Sequence, residues 1–197
     1  MNKKIWIVLG VIALVIFWGV GARNSMATSD QEVKASWANV QSAYQRRADL
    51  IPNLVKTVQG VANFEKSTLN AVIEARASAT QMKLDSKDLS PENMQKYQAA
   101  QSSLGGALSR LMVVAENYPQ LKATENFSEL QAQLEGTENR IKEERDRFND
   151  SVKGYNSLIV TFPNSLIASF SGFTEKGFFQ AEAGSEKAPE VNFDEKK

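Results

Sequence analysis

From Ile5 to Ala22 the chain carries no charged residue, reading IWIVLGVIALVIFWGVGA. As a helix rising about 1.5 Å per residue, this run spans roughly 27 Å, close to a hydrocarbon core of about 30 Å. Trp6 and Trp18 stand near its two ends, where amphipathic rings favour the headgroup level. Together with Ile5, Leu9 and Phe17 they mark an anchor. The rival is a cleaved signal peptide, because Val20-Gly21-Ala22 loosely resembles a small-residue cleavage site. Signal-peptide apolar regions run about 7–15 residues, shorter than this one. Residues 1–24 therefore read as a retained transmembrane anchor with a short cytoplasmic flank. Lys3, Lys4 and the α-amino group precede the run, whereas Arg23 follows it alone, with Asp30 and Glu32 just beyond. The positive-inside bias then places the rest of the chain on the extracytoplasmic (periplasmic) side of an inner or cytoplasmic membrane.

Behind the anchor, composition removes whole classes of chemistry. The 197 residues contain 23 Lys+Arg, 23 Asp+Glu, no His and no Cys. A neutral chain lacks the basic field that a nucleic-acid binder needs to meet phosphates. Without Cys there are no disulfides, thiolate nucleophiles, Cys-ligated metals or lipidated cysteine; without His, the commonest metal ligand and general base are gone. No cofactor or metal is expected.

From Asp30 onward apolar residues recur at steps of three and four. Val33, Trp37, Val40 and Tyr44 form one stripe, continued by Ile51, Leu54, Val58 and Val61. Another runs through Met94, Tyr97, Leu104, Leu108 and Leu111 to Tyr118. The last contains Phe127, Leu130, Leu134, Ile141, Phe148, Val152, Tyr155, Ile159 and Phe162. Such stripes are amphipathic helices, each of which buries its face against another. Ser90-Pro91-Glu92 is a helix start, and Tyr118-Pro119 a stop. Ser128 with Gln131 suggests a capping box, and Phe162-Pro163 ends the last long helix. The expected fold is all-α: an elongated antiparallel helical bundle with coiled-coil-like packing over residues 25–180, tethered by its N-terminal helix. The polar stretch 181–197 is expected to be a mobile tail in which Val191 and Phe193 pin a short piece.

Two positions break the local rules. Pro52 lies inside the first long helical pattern, so a break or kink is expected near Ala48–Ile51, with Asp49 capping a fresh helix. Gly105-Gly106 sits mid-helix at a cost of about 1 kcal/mol per Gly relative to Ala. Close approach of a neighbouring helix is the expected reason; a hinge is the alternative.

The stretch Tyr44-Gln45-Arg46-Arg47-Ala48-Asp49-Leu50-Ile51-Pro52-Asn53-Leu54-Val55 resembles the signature of the LemA family, as does Thr57-Val58-Gln59-Gly60 through Ala75-Arg76-Ala77. A second block continues it: Tyr118-Pro119-Gln120-Leu121-Lys122-Ala123, Thr137-Glu138-Asn139-Arg140-Ile141, Tyr155-Asn156, Phe162-Pro163 and Gly172-Phe173. The chain departs from the family at Phe64-Glu65, where His-Glu is frequent, and at Glu144-Arg145, where Ala-Arg is. The resemblance implies a single-pass protein with a helical bundle behind its anchor. It also implies a role beside membrane proteins with a TPM domain or a membrane protease, and, by analogy with relatives in magnetosome-forming bacteria, in membrane invagination.

Three groups of residues are candidates for function. Arg46, Arg47 and Asp49 form a dense polar cluster, either a cap with interhelical ion pairs or a patch for a partner or anionic lipid. The patch reading requires both guanidiniums on one accessible face. Glu138, Asn139 and Arg140 stand beside the apolar seam as a structural polar network, with a ligand-reading triad as the alternative. Leu166, Phe170, Phe173, Phe178 and Phe179 form an apolar segment that either closes the bundle's end or docks on a bilayer or second subunit. Glu135, Glu138, Glu143, Asp146 and Asp150 are interleaved with Arg and Lys, which suits a solvated charged face better than a metal site. No catalytic motif appears. The expected function is a non-enzymatic, membrane-anchored homo-oligomeric scaffold that contacts membrane lipid and organises or shapes the bilayer. The alternative is a membrane-tethered adaptor for one partner protein.

Overall fold

A single helix, α1 (Lys3–Gln59), carries the apolar run, the first amphipathic stripe and the Pro52 segment without interruption. Its 57 residues extend roughly 85 Å. The computed structural model describes residues 3–61 and 64–181. The expectations for Val191, Phe193 and the tail beyond residue 181 lie outside these residues.

Five further helices follow: α2 (Lys66–Gln81), α3 (Pro91–Ala115), α4 (Pro119–Lys122), α5 (Glu125–Val160) and α6 (Asn164–Ser171). No strand occurs among the described residues. Helices α1 and α5 pack along each other, and α2 packs on α3. The pairings Arg47–Glu138 and Trp37–Phe148 show that α5 runs antiparallel to α1, so its end returns toward the apolar run. The all-α bundle expected from the stripes is what forms. Each named member of the first stripe is buried, and so are Met94, Tyr97, Leu104, Leu108 and Leu111 on α3.

The core has two parts. Nearer the membrane, Val33, Trp37, Val40, Tyr44, Phe148, Val152 and Tyr155 cluster with Phe179. Farther out, Ile51, Leu54, Val58, Leu69, Val72, Leu104, Leu111, Phe127 and Leu134 form the second cluster. Burying a side chain of this size contributes about 1.5–3 kcal/mol. The loop between α2 and α3 is pinned to α1, since Trp37 Nε1 and Gln41 Nε2 both donate to the Leu84 carbonyl at 3.1 and 3.0 Å.

Some local expectations need correction. Helix α1 does not break at Ala48–Ile51, and Asp49 starts no new helix; its carboxylate accepts from Gln45 Nε2 one turn earlier, at 2.7 Å. Helix α5 begins at Glu125 rather than at Ser128, whose hydroxyl donates to the Lys122 carbonyl. Helix α3 runs through Gly105-Gly106 without interruption, and no backbone of a neighbouring helix comes within 4 Å of a Cβ placed on either. A Cβ on Gly106 would meet nothing within 4 Å, and one on Gly105 only Arg47 Nη1 at 3.8 Å. The glycines leave room for a side chain. At the N-terminus of α3 the expectation holds: Ser90 Oγ accepts from the Asn93 N–H and Pro91 occupies the first turn.

Candidate functional site

The anchor face is the first site. Ile5, Trp6, Leu9, Phe17 and Trp18 all project from α1 into open surroundings, with Phe17 81% exposed. The run is long and apolar enough to cross a membrane, and such an uncovered apolar face marks an interaction surface. Burial begins at Met26, fully enclosed in the membrane-near cluster, so α1 passes from bare span to bundle core within about one turn of the run's end. The change from exposed apolar run to buried stripe falls inside one helix.

Between the two core clusters lies a polar centre built on Arg47. The residue is 3% exposed. Nη1 donates to Glu138 Oε2 at 3.0 Å, and Nη2 donates to both the backbone carbonyl and Oε1 of Gln101, at 3.1 and 2.8 Å. The guanidinium also lies 5.1 Å from the centre of the Tyr44 ring. Gln101 Nε2 reaches on to the Ala79 carbonyl at 3.4 Å, so one chain of contacts ties α1, α2, α3 and α5. A buried cation needs compensation of this kind, since removing it from water is costly. Desolvation beside this centre pushes the Tyr97 phenol above its ordinary value, with Tyr44 adding to the effect.

The predicted Arg46/Arg47/Asp49 patch is divided by this arrangement. Arg47 points inward while Arg46 and Asp49 lie on the exposed side, so the two guanidiniums share no accessible face. The Glu138/Asn139/Arg140 group also parts. Glu138 faces Arg47, Asn139 is exposed, and Arg140 pairs along its own helix with Glu143 at 3.1 Å and Glu144 at 2.5 Å. Glu144 is almost wholly buried, yet its Oε2 finds no hydrogen-bond partner among the described residues. Among those residues no group of three acidic side chains is placed to hold a metal ion.

Beside Arg47, α3 and α5 stand apart and leave a groove of about 480 Å³. Gly105, Gly106, Leu108 and Leu134 line it, with Glu138 at its rim.

The apolar segment after α5 divides into two parts with different surroundings. Phe179 is core, stacked on Trp37 at 6.1 Å and edge-on to Phe148 at 5.5 Å. Phe173 is half-buried against Tyr155, and Phe178 is partly exposed. Leu166 and Phe170 project from α6 into open surroundings. Residues 173–181 form an extended strap along α5. Three side-chain amides hold it, each both donating to and accepting from its backbone: Asn156 at Lys176, Asn149 at Phe179, and Gln98 at Gln180, at 2.8–3.0 Å. Lys176 adds an ion pair to Asp30 at 2.8 Å. Burial acts to raise the Asp30 pKa, but Lys176 and Lys34 outweigh it and hold the carboxyl below its ordinary value.

Sequence reasoning missed Gln101 and the strap amides. Gln101 was signalled by its place in the buried stripe between Tyr97 and Leu104, where a polar residue demands a partner. For Asn149 and Gln98 the sequence holds no signal, because an extended strap has no periodicity; Asn156 stands in the Tyr155-Asn156 pair of the resemblance, which does not point to a strap.

Comparison with known proteins adds identity to this geometry. A family model described as the LemA family matches residues 36–193. The chain is 25% identical over 195 residues to the magnetosome protein MamQ of Magnetospirillum gryphiswaldense, covering 89% of this chain and 72% of that one. It is 26% identical over 192 residues to magnetosome protein MamQ 2 of Paramagnetospirillum magneticum, covering 88% and 71%. It is also 24% identical over 183 residues to protein LemA of Metamycoplasma hominis, covering 92% and 80%. With its signature residues built into the Arg47 centre and the model matching most of its length, the chain belongs to the LemA family.

Proposed function

We propose that this protein is a non-enzymatic, membrane-anchored scaffold that self-associates and organises or shapes the bilayer, its bundle on the extracytoplasmic side. One observation carries the reading: the span and the bundle core share a single uninterrupted helix of 57 residues. A lateral force on the bundle therefore acts directly on the embedded segment, as it could not through a floppy linker. The chemistry in the bundle is consistent with such a role. Its buried Arg47 is spent on holding helices together, and the relatives named after the magnetosome are named after a structure, not a reaction.

The test is electron microscopy and mass photometry of the full chain in native lipid patches, beside a variant with four glycines inserted between Asn24 and Ser25. Arrays or closed rims with the native chain, lost on insertion, are the expected result. Dispersed single bundles in both samples would overturn it. The second reading, an adaptor for a membrane protein or protease, is favoured by the groove between α3 and α5. A stoichiometric foreign partner lost on Gly106→Leu, with no self-association, would select it.

A further inference from the structure

The exposed apolar surface does not end with the anchor. Leu166 and Phe170, four apart on α6, are 54% and 90% exposed, and Phe162 just before the helix is 76% exposed, at the end of the bundle beside the apolar run. The opposite side of α6 is packed: Ala168 is buried, and Ile167 Cδ1 lies 3.5 Å from where a Cβ on Gly19 would stand. Gly19 belongs to the apolar run, one turn before its end at Ala22. Helix α6 is thus held at the height where α1 leaves the hydrocarbon, beside Trp18. No charged residue stands between Lys153 and Glu175, so nothing in this part of the chain opposes entry into the interface. Two of its hydroxyls are internally partnered, with Ser169 Oγ donating to the Ser165 carbonyl and Thr161 Oγ1 to the Ser157 carbonyl.

The geometry points to α6 as a membrane-surface float: Phe162, Leu166 and Phe170 enter the headgroup–acyl boundary of the bilayer that α1 crosses, fixing the height of the bundle. This rests on Ile5–Ala22 spanning that bilayer. The occupant is lipid because Ile167, next to Leu166 on α6, lies against Gly19 inside the bare apolar run. Three side chains offer about 500 Å², short of the roughly 800 Å² per partner of a stable protein interface. Helix α6 has no Lys or Arg, so the attraction is apolar and independent of anionic headgroups.

The absence of Cys makes single-cysteine spin labelling clean. Full-length Leu166→Cys and Phe170→Cys proteins are labelled in phosphatidylcholine vesicles, with Phe17→Cys as the embedded reference and Val113→Cys as the aqueous one. Accessibility to oxygen and to a water-soluble nickel chelate gives the depth of each label. The expected result is loss of nickel access at 166 and 170 with oxygen access retained, at about 5–10 Å into the boundary. Nickel access equal to that at Val113→Cys, with Phe17→Cys protected, overturns the inference and leaves the anchor standing. Nickel access at Phe17→Cys as well removes the span itself. Loss of access to both reagents at 166 and 170 means burial against a second protein surface, and overturns the lipid assignment.

Discussion

Arg76 Nε donates to the backbone carbonyl of Ala48 at 2.8 Å. In an α-helix that carbonyl accepts from the N–H four residues on, which here is Pro52 and has none. An arginine on α2 thus supplies the hydrogen bond that proline removes from α1. This explains how a 57-residue helix passes through a proline in its interior.

A double-mutant cycle follows from the pair. Arg76→Ala leaves a partly buried carbonyl without a donor and is expected to cost about 1–2 kcal/mol. In a Pro52→Ala background Ala48 regains its own helical partner, so the same change should cost about 1 kcal/mol less. Thermal unfolding of the full chain in lipid nanodiscs measures both. Equal costs in the two backgrounds would show that Arg76 acts elsewhere.

The Pro52 case shows where sequence reading stops. Local rules correctly placed the helices, because burying a stripe on a neighbour needs nothing more than the spacing of Val33, Trp37, Val40 and Tyr44. They expected a break at Pro52 because the compensating donor, Arg76, stands 28 residues from the Ala48 carbonyl it serves, on another helix. The same limit applied at Gly105, beside which the nearest group is the Arg47 guanidinium of α1, and at Arg46-Arg47. Adjacent helical positions diverge by about 100°, but only the fold decides which one faces inward. Extended strap residues such as Phe179 were visible as apolar and invisible as core, since amide brackets on two other helices hold them.

Within the Arg47 centre the costs of substitution should rank by burial. Arg47→Ala strips the partner from Gln101 and opens a void between the two core clusters, at an expected cost of about 3–5 kcal/mol. Glu138→Gln touches a side chain that is 60% exposed and keeps an acceptor facing Arg47, so it should cost below about 1 kcal/mol. Circular-dichroism melts of both variants check the ranking. A Glu138→Gln loss as large as that of Arg47→Ala would mean that the carboxylate charge, not the buried guanidinium, organises the centre.

Gly177 is required where the strap crosses the start of α3. A Cβ there would stand 2.7 Å from Pro91 Cα and 3.0 Å from Pro91 N, and this backbone cannot retreat cheaply. Gly177→Ala is therefore expected to cost about 1–3 kcal/mol and to lift Phe179 from Trp37. In a Trp6→Phe, Trp18→Phe background, Trp37 alone reports the change as a shift in emission. Gly172 takes a left-handed φ of 74° with open space around it, so Gly172→Ala should cost only about 1 kcal/mol. It should leave the emission unchanged.

Docking of the strap on α1 should weaken in acid through Asp30. Its folded pKa is depressed by Lys176 and Lys34, despite the opposing effect of burial. A carboxyl whose folded pKa lies below its unfolded value of about 3.9 contributes stability that is complete above that value. The contribution is lost as pH falls through the folded pKa, when the ion pairs to Lys176 at 2.8 Å and Lys34 at 2.5 Å are neutralised. Asp30→Asn should remove this dependence below about pH 4 and cost roughly 1–2 kcal/mol at neutral pH. Hydrogen exchange at the Lys176 and Gly177 amides, which donate to Asn156 Oδ1 and the Leu89 carbonyl, locates the effect in the strap. Faster exchange at those amides in the variant, with the outer core around Leu54 and Leu111 still protected, is the expected pattern. Unchanged protection of the strap would mean that the Asn156, Asn149 and Gln98 brackets hold it without the charge.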